Sequence, residues 1–161
     1  MYMAPLLLLG AMLAADTPPA NPQIDYPAFA KLARDLQPIR DRHRLSLAQF
    51  QAMAASGKAV ILDARSADAF AAGHIAGAIN LPLTDFTAEA LAEKLPDRSR
   101  PVLIYCNNNF VNNVRPVVLK SAPVSLNIQT FINLHAYGYT QVWELADRVD
   151  FADPAVRWVR S

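Results

Sequence analysis

Two short, uninterrupted apolar runs constrain this chain more than any other feature. Lys58-Ala59-Val60-Ile61-Leu62-Asp63 and Pro101-Val102-Leu103-Ile104-Tyr105 show none of the polar alternation that a strand with one wet face would carry. Runs of this length, bounded by turn signals, read as strands buried on both faces. Between and around them lie segments of helical periodicity. In open sheets built from alternating strands and helices, ligands gather beyond the carboxyl ends of the strands, where loops can present donors without disturbing the core. Cys106 follows the second run directly and so stands at such an end.

The remaining segments fit around these strands. Tyr26, Phe29, Leu32, Ala33 and Leu36 recur at helical spacing, and Pro38 is expected to end that helix before a basic stretch, Arg40, Arg42, His43 and Arg44, read as solvated surface. Ser46 reads as the N-cap of a helix carrying Leu47, Phe50 and Met53, which Ser56-Gly57 would stop. A brief helix from Ser66 to Ala72, a short strand from Ala78 to Leu81 and a helix opened by Thr87 come next. Beyond Cys106 the expectations are a helix from Ser125 to Tyr137, a strand from Gln141 to Leu145 and a short helix near Val156.

With 161 residues, 53% hydrophobic and 18% charged, the chain has material for one core and not for two domains. A formal charge of +1 gives no overall field toward nucleic acid or an anionic membrane, and no nucleic-acid partner is expected. Residues 1–15, MYMAPLLLLGAMLAA, read as a signal peptide, although no Lys or Arg precedes the apolar run; it is too short for a membrane span of about 20 residues. The Pro-rich stretch 16–24 reads as a linker, 25–45 as an N-terminal helical extension and 46–161 as the domain. The expected location is therefore periplasmic or secreted, with no stable membrane insertion once the signal is removed. Cys106 is the only cysteine, so no intramolecular disulfide can form, and its surroundings must decide between an inert and a reactive thiol.

Particular residues carry a family resemblance. Asp63-Ala64-Arg65 after a strand, Phe70, Gly73-His74-Ile75-Ala76-Gly77-Ala78 and Asn80-Leu81-Pro82 resemble the first half of the rhodanese family. Val102 to Cys106 resembles that family's strand entering its catalytic loop, and Gly138-Tyr139-Thr140-Gln141-Val142-Trp143-Glu144-Leu145 its closing turn and strand. The likeness covers about residues 46–150. It implies an α/β fold, a parallel sheet flanked by helices on both faces, and a sulfurtransferase whose loop cysteine carries a sulfane sulfur as a persulfide. The implied partners are a small sulfur-containing anion or a protein thiol acceptor, with no cofactor and no metal.

The chemistry can also be argued from the residues. The nucleophile in sulfur transfer is a thiolate, and free cysteine is mostly protonated near neutral pH, so the site is expected to lower the Cys106 pKa. A tight loop after a strand can aim backbone N–H groups at the sulfur, and the following helix adds its N-terminal partial charge. The expected anion cradle is the backbone of Asn107, Asn108, Asn109, Phe110 and Val111, asparagine suiting such a loop because it tolerates left-handed backbone. The family loop ends in arginine five residues after the cysteine, where this chain has Val111; Asn112 and Asn113 could donate hydrogen bonds but bring no charge. The distance from Cys106 to Gly138 points to an insertion within Val111 to Val124. Its Arg115 or Lys120 either replaces the missing cation or is an ordinary exposed charge. A cysteine phosphatase is disfavoured, since Asn112 stands where its phosphate-loop arginine would be.

The other candidates have structural readings. Asp63 and Arg65 are expected to support the site by holding loops near it, and His74 to fix a turn, with no second ligand at metal spacing. His135 reads as a core or surface residue of a packed helix, and Tyr137, Tyr139, Trp143 and Trp158 as core or cap residues. Two functions remain in view: an exported sulfurtransferase with Cys106 as nucleophile and persulfide carrier, and a rhodanese-like module that has lost efficient turnover and binds a partner protein or small anion. Val111 separates them.

Overall fold

The computed structural model describes residues 21–160. The expected signal peptide, 1–15, and residues 16–20 of the expected linker lie outside the described residues. The helix α1, Tyr26–Arg42, starts at Asp25, whose carboxylate accepts the Ala28 N–H at 2.9 Å. Pro38 does not end it. The proline ring removes the bond to the carbonyl four residues back, but Arg34 and Pro38 are exposed, so water can take up the freed carbonyl. Contacts made beyond the proline, at Arg40 and His43, hold the last turn in place.

After the two-residue strand β1, Arg44–Leu45, Ser46 caps the helix α2, Leu47–Ala55, in a reciprocal box with Gln49. Gly57, at φ 71°, lets the chain turn into β2, Val60–Asp63. The helix α3, Ala67–Ala72, is capped by Ser66, and the strands β3, His74–Ile75, and β4, Ala78–Asn80, follow. Thr87 caps α4, Ala88–Lys94, which leads to β5, Val102–Tyr105. The helix α5, Leu126–Ala136, precedes β6, Val142–Leu145, and the chain closes with β7, Trp158–Val159. The helix expected near Val156 is a single 3-10 turn, Pro154–Val156, because the chain then extends to pair with β3.

The main sheet has the order β1-β6-β5-β2-β4 and is parallel throughout; β3 and β7 form a separate antiparallel pair. Successive side chains on a strand point to opposite faces. Leu62, Val102, Ile104 and Val142 accordingly pack with Leu36 of α1, Leu91 of α4 and Phe131 of α5. Ile61, Leu103, Tyr105 and Leu145 pack with Phe50 of α2 on the other face. Helices therefore cover both faces, which is why β2 and β5 could be apolar without interruption. No helix among the described residues is long and apolar enough to cross a membrane.

Candidate active site

Cys106 leaves β5 in extended backbone and opens a 3-10 turn, Asn107–Asn109. It lies at the base of a cleft of about 900 Å³ at the carboxyl ends of the strands. One wall is Arg65 to Asp68 after β2, another Pro82 to Asp85 after β4, and the segment from Arg115 to Leu126 forms the third. Cys106 thus lines a concavity although the residue is only 2% exposed.

Burial pushes the Cys106 thiol above its ordinary pKa. Backbone N–H groups of Asn127, Asn108 and Asn109 pull in the opposite direction, and the Glu144 carboxylate adds to the rise. The expectation that the site lowers this pKa is therefore corrected: loss of hydration outweighs the donors. The cradle also differs from the expected run of consecutive amides. The Phe110 N–H donates to Asn107 O at 3.1 Å and the Val111 N–H to Val149 O at 3.0 Å, so neither faces the sulfur. Phe110 is fully buried among aromatic rings, and Val111 is 48% exposed and outside the cleft. The third donor comes instead from Asn127 in the first turn of α5, where backbone N–H groups lack partners within the helix.

The loop asparagines work mainly through their side chains. Asn109 accepts the Cys106 N–H at 2.9 Å and donates to Leu145 O at 2.7 Å, tying the turn to β6. Asn107 donates to Val118 O at 2.8 Å, and Asn108 exchanges two bonds with the Lys120 backbone, so the 111–124 segment is fastened over the loop. Asn112 bonds Asp150 and the Phe151 N–H, while Asn113, at φ 42°, accepts from the Leu119 N–H. These two hold the segment and do not line the cleft, so they are not placed to donate to an anion there.

Asp63 and Arg65 form a buried ion pair. The carboxylate accepts from Arg65 Nε at 2.9 Å, from Nη2 at 2.6 Å and from the Tyr105 hydroxyl. Arg65 also donates to Gly73 O at 2.7 Å and reaches Pro116 O at 3.4 Å, so one guanidinium joins β2, the turn after α3 and the cleft wall. Its face lies over the rings of Tyr105 and Trp158. His74 bonds Phe70 O and stacks on the Phe70 ring, as a turn-fixing residue would. Among the described residues no group of His, Cys, Asp and Glu side chains is arranged to hold a metal ion.

Arg115 and Lys120 both line the cleft with Cys106, and among the described residues neither is in an ion pair. Asp68 and Asp85 stand on the opposite walls. Sequence reasoning missed three residues behind the sulfur: Asn127, Glu144 and Arg40. The available signal was Glu144, an acid inside the apolar strand Val142–Leu145.

The profile of the rhodanese-like domain matches residues 46–147. Among solved structures, the chain is similar to a protein of Bacillus halodurans, with 18% identity over 80% of this chain and 77% of that one, at a TM-score of 0.49. It is similar to a thiosulfate sulfurtransferase of Pseudomonas aeruginosa, with 22% identity over 78% of this chain and 21% of that one, at a TM-score of 0.47. A rhodanese with anions from E. coli shows 26% identity over 64% of this chain and 99% of that one, at a TM-score of 0.42.

Proposed function

The chain belongs to the rhodanese-like domain family, and on that footing we propose that it transfers sulfane sulfur through a persulfide on Cys106. The observation that carries this reading is a thiol at a strand tip that lines an open cleft, with the backbone N–H groups of Asn108, Asn109 and Asn127 near enough to favour its ionised form. In the forward step the Cys106 thiol first loses its proton to water. The thiolate then attacks the outer sulfur of thiosulfate; a Cys106 S–S bond forms, the donor's S–S bond breaks, and sulfite leaves with the electron pair. An acceptor thiolate next attacks the outer persulfide sulfur and Cys106 departs as thiolate. The N–H groups of Asn108, Asn109 and Asn127 stabilise the anionic sulfur at both stages. Arg115 and Lys120 supply positive charge at the mouth in place of a loop arginine.

The test is turnover with cyanide as acceptor, which yields thiocyanate from thiosulfate or polysulfide. Wild-type protein should form thiocyanate and Cys106→Ser should form none. The raised thiol pKa and the absence of charge at Val111 favour a second reading, a domain that binds a small anion or a protein partner without turnover. Failure of the wild type with every donor would support that reading. We also propose that residues 1–15 direct export; N-terminal sequencing of periplasmic protein beginning after residue 15 would agree, and an intact leader in the cytoplasm would refute it.

A further inference from the structure

Glu144 is 5% exposed, and the alternation of side chains along β5 and β6 puts it on the same face of the sheet as Ile104 and Cys106. It pairs in register with Ile104, two residues before Cys106 on the adjoining strand. A carboxylate there would oppose a second negative charge on the sulfur. Its oxygens accept from Arg40 Nε at 2.6 Å and Nη2 at 2.7 Å, a bidentate pair made by a helix that precedes the family match. Glu144 Oε1 also accepts from the Asn127 side chain at 3.3 Å. The same Asn127 amide group donates to Asn109 Oδ1 at 3.0 Å, and that oxygen receives the Cys106 N–H. Arg40, Glu144, Asn127 and Asn109 thus form one connected path ending at the cysteine loop.

We propose that Arg40 is a positioning residue for the Cys106 thiolate: it neutralises Glu144, and through Glu144 it holds Asn127 so that the Asn127 backbone N–H faces the sulfur. The guanidinium missing at Val111 is then compensated in part from behind the sulfur, in addition to the cleft-lining charges of Arg115 and Lys120. The Arg40 pKa is raised first by its bond to Glu144, against the lowering effect of burial, then by the charges of Glu144 and Asp41 and last by a Cys106 thiolate, so the guanidinium and the sulfur feel each other. Other titratable groups near this path are Asp41, beside Arg40, and His43, stacked on Trp143. On the cleft side stand Arg65, already paired with Asp63, and Asp68, Asp85, Arg115 and Lys120. The backbone of Asp147 anchors Asn109 at 3.2 Å.

Cys106 is the same reacting group as in the sulfur-transfer reading, but its ionisation can be measured by iodoacetamide alkylation with no sulfur donor present. The pH profile of alkylation in the full chain is compared among four variants. Arg40→Met should move the midpoint upward by about one unit, so that the rate at pH 7 falls about tenfold. Arg40→Lys, which keeps the charge, should recover most of that rate. Arg40→Met with Glu144→Gln should return the midpoint to the wild-type value or below it, because the opposing charge is gone and a glutamine oxygen can still accept from Asn127. Glu144→Gln alone should lower the midpoint, and this variant decides the matter if Arg40→Met does not fold. An unchanged profile in folded Arg40→Met, or in Glu144→Gln, would overturn the assignment. Normal alkylation shifts without thiocyanate formation would leave it standing and refute sulfur transfer alone.

Discussion

Replacing Asp63 by asparagine removes one charge from a pair whose side chains are 0% and 3% exposed, at almost constant volume. The carboxylate now accepts from the Arg65 backbone N–H at 3.0 Å, from Arg65 Nε and Nη2, and from the Tyr105 hydroxyl. An asparagine offers one acceptor oxygen, and its NH2 group must meet either the guanidinium or the hydroxyl. Arg65 cannot shed its proton, so a buried cation would remain with no compensating charge, its partners being at most that one oxygen and the Gly73 and Pro116 carbonyls. Removing one member of such a pair costs about 3–5 kcal/mol. That is a large fraction of the roughly 5–15 kcal/mol that stabilises a domain. With a urea slope of about 2 kcal/mol/M, the unfolding midpoint should fall by about 2 M. Asp68→Asn, an exposed change on the cleft wall, should move stability by less than about 1 kcal/mol. The double change Asp63→Asn with Arg65→Met should recover most of the loss, since no buried charge is then left unpaired. A midpoint for Asp63→Asn within experimental error of wild type would refute the assignment of this pair as the clamp of the cleft.

Further expectations concern the thiol, the packing against it and the rim. Because burial raises the Cys106 pKa, alkylation should have its midpoint above about 8.5, the ordinary thiol value, and a midpoint near 7 would contradict this. The sign for stability follows: above about pH 8.5 the unfolded chain releases a proton that the folded one retains, so stability should fall as pH rises through that range, and Cys106→Ser should lack this component. A Cβ added at Gly73 would clash with Nε1 of Trp158, an indole held between Phe110 and Phe151; Gly73→Ala should lose about 1–3 kcal/mol in urea unfolding, and a neutral result would show that the indole can move. Arg115→Ala with Lys120→Ala should weaken thiosulfate saturation about tenfold at low salt and less at 0.5 M salt, and an effect independent of salt would show that the two charges do not act on the anion.

The sequence was most informative where structure is local and periodic. β2 and β5 could be read because an unbroken apolar run has few other uses, and the caps at Ser46, Ser66 and Thr87 are bonds spanning three residues. The ends of the sheet were not readable. β1 and β7 have two residues each, and their pairing partners, β6 and β3, are far along the chain. Arg40 reads as solvated because its charge is visible in the sequence and its partner, 104 positions away, is not. Within the loop, residue types pointed to an anion site, but the direction of each N–H depends on tertiary bonds: Val149 takes the Val111 N–H, and α5 contributes Asn127 across the whole 111–124 segment. Arg115 and Lys120 were identifiable as candidate cations, whereas their place on the cleft wall rests on side-chain bonds from Asn107 and Asn108.

Intact mass of the protein after brief exposure to thiosulfate or polysulfide and removal of excess donor addresses persulfide formation without depending on any acceptor. The account predicts that wild-type protein gains the mass of one sulfur atom, that dithiothreitol reverses the gain, and that Cys106→Ser shows none. A wild-type mass unchanged by either donor, or a gain of equal size in Cys106→Ser, would contradict it.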